Sequence, residues 1–308
     1  MIFTCTLNPS VDYVIEIEEV IMGDLNRAQK TSFYPGGKGI NVSRVLRNLG
    51  MPSTALGFAG GFTGKFIQEF LDHEGIQHTF IEHNEPTRVN IKLKTDEETE
   101  INGQGPAITE EQQQRLLKQI ETITPNDVLV LAGSLPPSMP ENFYEKAAAY
   151  CRDREIPFVA DTGGKVLQHL LPYKPFLIKP NQHELSDLLH VKIHTIEDVL
   201  EYGDALLEQG PENILVTLGG HGAVFMNREV KAVAAVPIGK LKNSVGAGDS
   251  TVAGFLAVYL ETGDVLAAFK TAVACGSATA FSEDLCTKEE MDQLLSQVQI
   301  DVIQKNGA

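Results

Sequence analysis

Four clusters of residues in this chain have types and spacings that can do chemistry. The first is NSVGAGDSTVAGF at 243–255, where Gly246 and Gly248 flank Ala247 directly before a helical stretch that opens with Asp249. Glycines at that spacing let successive backbone N–H groups converge, and the helix N-terminus adds partial positive charge. Such a nest stabilises charge developing on a phosphoryl group in transfer. Asp249, in the first helical turn, can reach a substrate hydroxyl as a base; an Asp there is also an ordinary helix cap. The second cluster is PGGKGIN at 35–41, with Gly36, Gly37 and Gly39 around Lys38 and with Asn41 one turn into a helical pattern. It permits close backbone approach to a ligand and supplies a cation and an amide. Neither GxGxxG nor GxxxxGK[ST] is satisfied here. The nearest P-loop look-alike, AGGFTGKF at 59–66, has Ala59 where the first glycine belongs and Phe66 where a Mg²⁺-binding hydroxyl is required.

The third cluster has two segments, the first being KPNQHE at 179–184, following a short apolar strand. Asn181 and Glu184 can organise Mg²⁺-bound waters, but N-x-x-E is also a capping box, and the spacing alone favours the cap. VTLGGHG at 216–222 ends another strand with three glycines, exposing backbone where open α/β sheets bind ligands. Its plainer reading is a hairpin loop into 223–226. The fourth cluster is the strand TRVNIKLK at 87–94. Period-two geometry puts Arg88, Asn90, Lys92 and Lys94 on one face and Val89, Ile91 and Leu93 on the other.

The elements that must position these residues are legible as patterns. From about residue 109, helical stretches alternate with short continuous apolar runs: 110–121 before DVLVLA at 127–132, then 140–154 before PFVAD at 157–161. A short helix near 166–171 precedes 176–179; helices from 183 and near 196–209 precede 213–218. That alternation predicts a mainly parallel sheet covered by helices on both faces. Three helices, at 248–261, 264–281 and 288–303, are expected to close the chain. The first third differs: VIEIE at 14–18 and 87–94 alternate strictly, and 100–102 is expected to return after the acidic turn at 96–98. These pieces predict a small sheet able to cover a site, or else an ordinary sheet edge with a solvated face.

Bulk properties narrow the field. The 308 residues carry a formal net charge of −16, which excludes an extended nucleic-acid surface but not a compact, locally basic phosphate site. Cys5, Cys151, Cys275 and Cys286 form no CxxC pair, and His190 and His194 lack an HExxH context. No signal peptide or apolar run of ~18 residues is present, so a cytoplasmic protein without membrane contact is expected.

With 36–41 and 245–255 both in place, the sequence resembles the ribokinase-like PfkB carbohydrate kinases, from TLNPSVDY at 6–13 to the C-terminal helices. YPGGKGINVSRVL at 34–46, TEINGQGP at 99–106 and AGSLPP at 132–137 are further points of likeness, and they match the branch acting on fructose 1-phosphate. The resemblance implies one α/β domain over 1–308, with a mainly parallel central sheet flanked by helices and a β-sheet lid from roughly 12–33 and 86–104. It implies Asp249 as catalytic base, with the amides of Gly246, Ala247, Gly248 and Asp249 as anion hole. Asp12, Gly37 and Asn41 would hold sugar hydroxyls; Lys38, Arg88 and Lys92 would grip the phosphate already on the substrate, beside Asn90. Lys179, Asn181, Thr217, Leu218, Gly219, Gly220, His221, Gly222, Gly248 and Ser277 match nucleotide-side positions for ATP. Asn181 and Glu184 match the family's Mg²⁺-organising element. The expected reaction is phosphorylation of fructose 1-phosphate to fructose 1,6-bisphosphate, with dimer contact through the lid. Tagatose 6-phosphate as acceptor, and a non-catalytic sugar-phosphate sensor, are the alternatives.

Overall fold

The computed structural model describes residues 1–95 and 98–305. The larger sheet takes strands β1 (Ile2–Thr6), β4 (Ser53–Gly60), β5 (Gln77–His83), β8 (Val128–Ala132), β9 (Phe158–Asp161) and β10 (Leu177–Ile178). It continues through β11 (Asn213–Thr217), β12 (Ala223–Asn227), β13 (Val230–Ala235) and β14 (Gln299–Lys305). These ten strands run in the order β14-β13-β12-β11-β10-β9-β8-β1-β4-β5. The pairs from β11 to β5 are all parallel, and the β12–β14 edge is antiparallel. All five residues of β8 are buried: Val128, Val130 and Ala132 join one core layer, while Leu129 and Leu131 join the other. A strand apolar on both faces needs cover on both.

Helices α1 (Lys38–Asn48), α8 (Ala247–Thr262), α9 (Val265–Phe281) and α10 (Lys288–Leu295) cover one face. The other carries α3 (Glu110–Ile120), α4 (Phe143–Asp153), α5 (Gly164–Leu170), α6 (Gln182–Leu189) and α7 (Ile196–Leu207). A third cluster packs α2 (Gly61–Glu74) through Ile67 and Leu71 against Val11, Ile40 and Ala55. The four cysteines are buried and unpaired. No helix among the described residues is long and apolar enough to cross a membrane.

One expected element is different. The helix expected at 288–303 stops at Leu295, and Gln299–Lys305 forms β14, antiparallel to β13. Without β14, β13 would present a row of unpaired backbone groups, and pairing there outweighs continuation of a short helix.

The small sheet comprises β2 (Ser10–Glu16), β3 (Lys30–Gly36), β6 (Arg88–Lys94) and β7 (Glu98–Asn102), in the order β3-β2-β6-β7. Pairing starts the first of these at Ser10, four residues before the alternating VIEIE run. β2 and β6 are parallel, with Ser10 opposite Arg88, Asp12 opposite Asn90 and Val14 opposite Lys92. Of the expected turn at 96–98, Asp96 and Glu97 lie outside the described residues. The alternation sorts the two faces as expected, but the polar face is the covered one. Asp12, Asn90 and Lys92 are each at most 8% exposed, whereas Val89, Ile101 and Phe33 on the outer side are 39%, 56% and 52% exposed. Cross-strand stacking of Tyr13 on Phe33, with centroids 4.3 Å apart, is part of that outer face.

Candidate active site

The carboxyl ends of the parallel strands and the polar face of the small sheet enclose a cavity of about 1330 Å³. Its floor is the start of α8. Gly246 is the N-cap, in the left-handed region at φ 80°, and a Cβ there would lie 2.4 Å from Leu285 Cδ2. Only glycine turns the chain here without strain or collision. The first-turn amides that follow have no intrahelical carbonyl to bond, so they are free for an anion.

Asp249 stands in that first turn, 6% exposed, and its Oδ2 accepts a 2.8 Å hydrogen bond from Asn41 Nδ2 on α1. Burial raises its pKa from 3.8 to about 6, and the negative charge of Asp161 adds to the rise. Lys38, the Asn41 bond and Lys179 oppose it. A carboxylate tuned to that range accepts a proton readily near neutral pH.

Asp161, at the end of β9, is 1% exposed. Its Oδ1 accepts a 3.0 Å bond from Lys38 Nζ and lies 3.5 Å from Lys179 Nζ. Burial alone would raise its pKa, but the two ammonium groups hold it below the usual carboxylate range. In Lys38, burial works against the charged form, yet Asp161, Asp249 and Glu184 together raise its pKa. Lys179 reaches the nest itself: a Cβ on Gly248 would sit 3.0 Å from Lys179 Nζ.

The small sheet supplies the opposite wall. Asp12 Oδ1 accepts from Ser10 Oγ at 2.7 Å and from Asn90 Nδ2 at 3.0 Å. Gly36 lies so close that a Cβ would fall 2.5 Å from the Asp12 carboxyl group. Asn90 Oδ1 is buried with no hydrogen-bond partner among the described residues, on the cavity-lining face of its strand. Lys92 Nζ pairs at 2.5 Å with Glu100 Oε1, its cross-strand neighbour. Arg88 donates to Asn8 O through Nε and Nη2, at 3.2 and 3.0 Å, and to Gly103 O through Nη1 at 2.9 Å. Burial lowers its pKa, against the pull of Asp12.

On the far side, Asn181 and Glu184 form the capping box of α6, with bonds of 2.8 and 2.9 Å. Glu184 Oε1 is 3.6 Å from Lys38 Nζ, and the side chain is 23% exposed. Among the described residues no group of three or more His, Cys, Asp or Glu could hold a metal ion. Mg²⁺ is usually held by substrate phosphates, waters and one or two carboxylates, and a partly free Glu184 beside the cavity fits that outer role. Thr217 continues β11 into the one-turn helix Gly219–His221, and Asn181 bridges to Thr217.

Every residue that the family resemblance assigned to the site lines this cavity except His221, which is exposed and not among its lining residues; Gly36, Gly39 and Lys94, from the same motifs, do not line it either. Ser277, on α9, is 7% exposed and lines it. The sequence reading missed Asp161, Ser10 and Glu100, and also the apolar strap with Ile238 and Leu241, which are 97% and 66% exposed. Asp161 had one signal, its place at the carboxyl end of a parallel strand; the strap had none.

The fold and this cavity define a ribokinase-like carbohydrate kinase. The chain belongs to the pfkB family of carbohydrate kinases, whose model matches residues 6–291. It is 48% identical over 300 residues to the 1-phosphofructokinase of Bacillus subtilis, covering 97% of this chain and 99% of that one. It is 36% identical over 301 residues to the D-tagatose-1-phosphate kinase of Bacillus licheniformis, with 97% and 99% covered. The structure of phosphofructokinase-2 from Escherichia coli in complex with substrates and products superimposes with a TM-score of 0.92 at 28% identity, over 96% of this chain and 98% of that one.

Proposed function

We propose that this protein phosphorylates fructose 1-phosphate with ATP, giving fructose 1,6-bisphosphate and ADP. The observation that carries the reading is the buried Asp249 carboxylate, held by Asn41 beside the α8 nest and facing a wall that carries Arg88 and Lys92. Asp249 takes the proton of the C6 hydroxyl as that oxygen bonds to the terminal phosphorus of ATP and ADP departs. The amides of Gly246, Ala247, Gly248 and Asp249 meet the charge that spreads over the transferring group. Phosphoryl transfer is mostly positioning and electrostatics, so these groups are adequate machinery.

Asp12, Gly37 and Asn41 orient the sugar hydroxyls, and Asn90 Oδ1 is free to accept from one. Lys38, Arg88 and Lys92 hold the phosphate on C1, with the guanidinium fork suited to it. Lys179, Asn181, the strip Thr217–Gly222 without the His221 side chain, Gly248 and Ser277 form the nucleotide side. Mg²⁺, when bound, neutralises charge on the nucleotide phosphates; Asn181 and Glu184 would hold it through water. In this reading the small sheet is a lid on a single 1–308 domain, its apolar outer face is a homodimer contact, and the protein is cytoplasmic.

A tagatose phosphate is the second reading, favoured by the D-tagatose-1-phosphate kinase among the relatives. A sensor without turnover would have no use for a base with the pKa of Asp249. The test is ADP release with Mg·ATP and, in parallel, fructose 1-phosphate, fructose 6-phosphate, tagatose 1-phosphate and tagatose 6-phosphate. The highest kcat/KM is expected for fructose 1-phosphate. A clear lead for a tagatose phosphate would move the assignment to the second reading, and no turnover with any of them would leave the sensor.

A further inference from the structure

We infer that Asp161 is a positioning residue for this reaction, fixing the ammonium groups of Lys38 and Lys179 beside the α8 nest; the inference rests on the kinase reading above. Three elements converge on this carboxylate. β9 delivers Asp161, the start of α1 delivers Lys38, and the residue just after β10 delivers Lys179. One oxygen, Oδ1, serves both lysines, at 3.0 and 3.5 Å. Two ammonium groups that close to one point repel each other, and the anion between them keeps both in place. Lys179 is 4% exposed and rests against Gly248, so any shift of its amine is felt in the nest.

Asp161 itself is poorly suited to a purely structural role. Its Oδ2 is buried and has no hydrogen-bond partner among the described residues, although a carboxylate kept only for the fold is expected to have both oxygens satisfied. Nor does Asp161 line the cavity; it acts from beneath, through the lysines. The charged groups facing Asp249 are Asp161, Lys38 and Lys179, and Glu184 meets the same cluster through Lys38 at 3.6 Å. Removing the negative charge of Asp161 therefore has two consequences: the lysines lose their common anchor, and Asp249 loses a like-charged neighbour.

The test compares the parent enzyme with Asp161→Asn, Lys38→Met and the double variant, using fructose 1-phosphate and Mg·ATP from pH 5 to pH 9. Asp161→Asn is expected to lower kcat/KM about 100-fold, the scale of a misplaced reacting group. Its acid limb should move to lower pH. The double variant should fall clearly short of the product of the two single losses, because Asp161 works in part through Lys38, while its hold on Lys179 is lost in either background that lacks the carboxylate. Asp161→Glu, which restores the charge, should bring the acid limb back toward the parent position even if its turnover stays low. Additive losses, or an acid limb that ignores the charge at 161, would overturn the inference.

Competitive acetylation read by mass spectrometry needs no turnover. Lys38, freed from Asp161, should label about tenfold faster in Asp161→Asn, and an unchanged rate would count equally against the inference. If Asp161→Asn does not fold, the acid limb of Asp161→Glu and its Lys38 labelling, both expected near the parent values, carry the test, and departure of both would overturn it. A parent enzyme that turns over no sugar phosphate while the labelling shift is present would sink the kinase reading and leave the anchor standing.

Discussion

Replacing Asn41 by Leu isolates one determinant of the base. The side chain is 8% exposed, and its Nδ2 donates to Asp249 Oδ2 at 2.8 Å. Leu keeps a similar volume and removes the donor. A hydrogen bond to a charged group contributes about 1.5–3 kcal/mol, which at 1.36 kcal/mol per pH unit is about 1–2 units. The bond favours the ionised form, so its loss moves the Asp249 pKa upward from about 6. On that arithmetic the acid limb of kcat/KM moves to about 7–8, and the ionised fraction at pH 7 drops from about 0.9 to between about 0.5 and 0.1. The assay is coupled ADP release over pH 5 to 9.5 at limiting fructose 1-phosphate. Lost contact with the sugar lowers the whole profile evenly, whereas lost support for the base shifts its limb, so one data set separates the two. An acid limb that stays near 6, or a loss of activity at neutral pH that does not diminish above pH 9, would refute the assignment of Asn41 as the group tuning Asp249.

Asp249→Asn should reduce turnover by at least about 1000-fold while both substrates still bind, as calorimetric titration would show. It should also stabilise the fold: the Asp249 pKa lies above its ordinary 3.8 when folded, so its contribution falls as pH rises through about 4 to 6. Asn should therefore gain on the order of 1–3 kcal/mol at pH 8 and nothing at pH 3, read as a difference in Tm. Arg88→Ala should raise KM for the sugar phosphate about 10–100-fold with a smaller effect on kcat. Arg88→Lys should not restore it, because the fork also bonds Asn8 O and Gly103 O. Arg44, 5% exposed, joins α1 to Glu74 and Asp284; Arg44→Met should cost about 3 kcal/mol in urea unfolding, and a cost below about 1 would show that the pairs contribute little.

The parallel sheet was legible because β8 and its neighbours are continuous apolar runs, which have few uses outside a doubly covered sheet. The two glycine motifs were legible because close backbone approach demands their residue types. Asn181 and Glu184 read as both a cap and a metal-organising pair, and the cap is formed while one oxygen of Glu184 stays near the cavity. What local pattern cannot carry is convergence. Asp161 looks like the polar end of any strand until α1 and the residue after β10 bring lysines to it. Lys92 and Glu100 become partners only through the register of β6 with β7. Residues 288–303 looked helical throughout because Ile300 and Ile303 suit a short 3.6-residue period as well as a period of two; the free edge of β13 decides between them.

The small sheet has a mechanical consequence. β2 and β6 begin, and β3 and β7 end, along one line: Ser10 is paired with both Gly36 and Arg88, and Asn102 with Asn90. Among the described residues every chain crossing to the main body lies near that line, so any tilt of the sheet would turn about it. At about 3.3 Å per residue, Asp12 and Asn90 stand ~7 Å from the axis and Lys92 ~13 Å, so a tilt of about 10° displaces them by ~1 and ~2 Å. A tilt of that size would loosen the outer lysine while leaving the grip near the root. The far end is fastened by Ser244 Oγ, two residues ahead of Gly246, donating to Glu98 Oε2 at 2.7 Å, and also by Lys94 Nζ to Lys242 O at 3.3 Å and Lys30 Nζ to Glu283 Oε2 at 3.1 Å. The Ser244–Glu98 bond thus connects the outer rim of the cavity to the turn that shapes its floor.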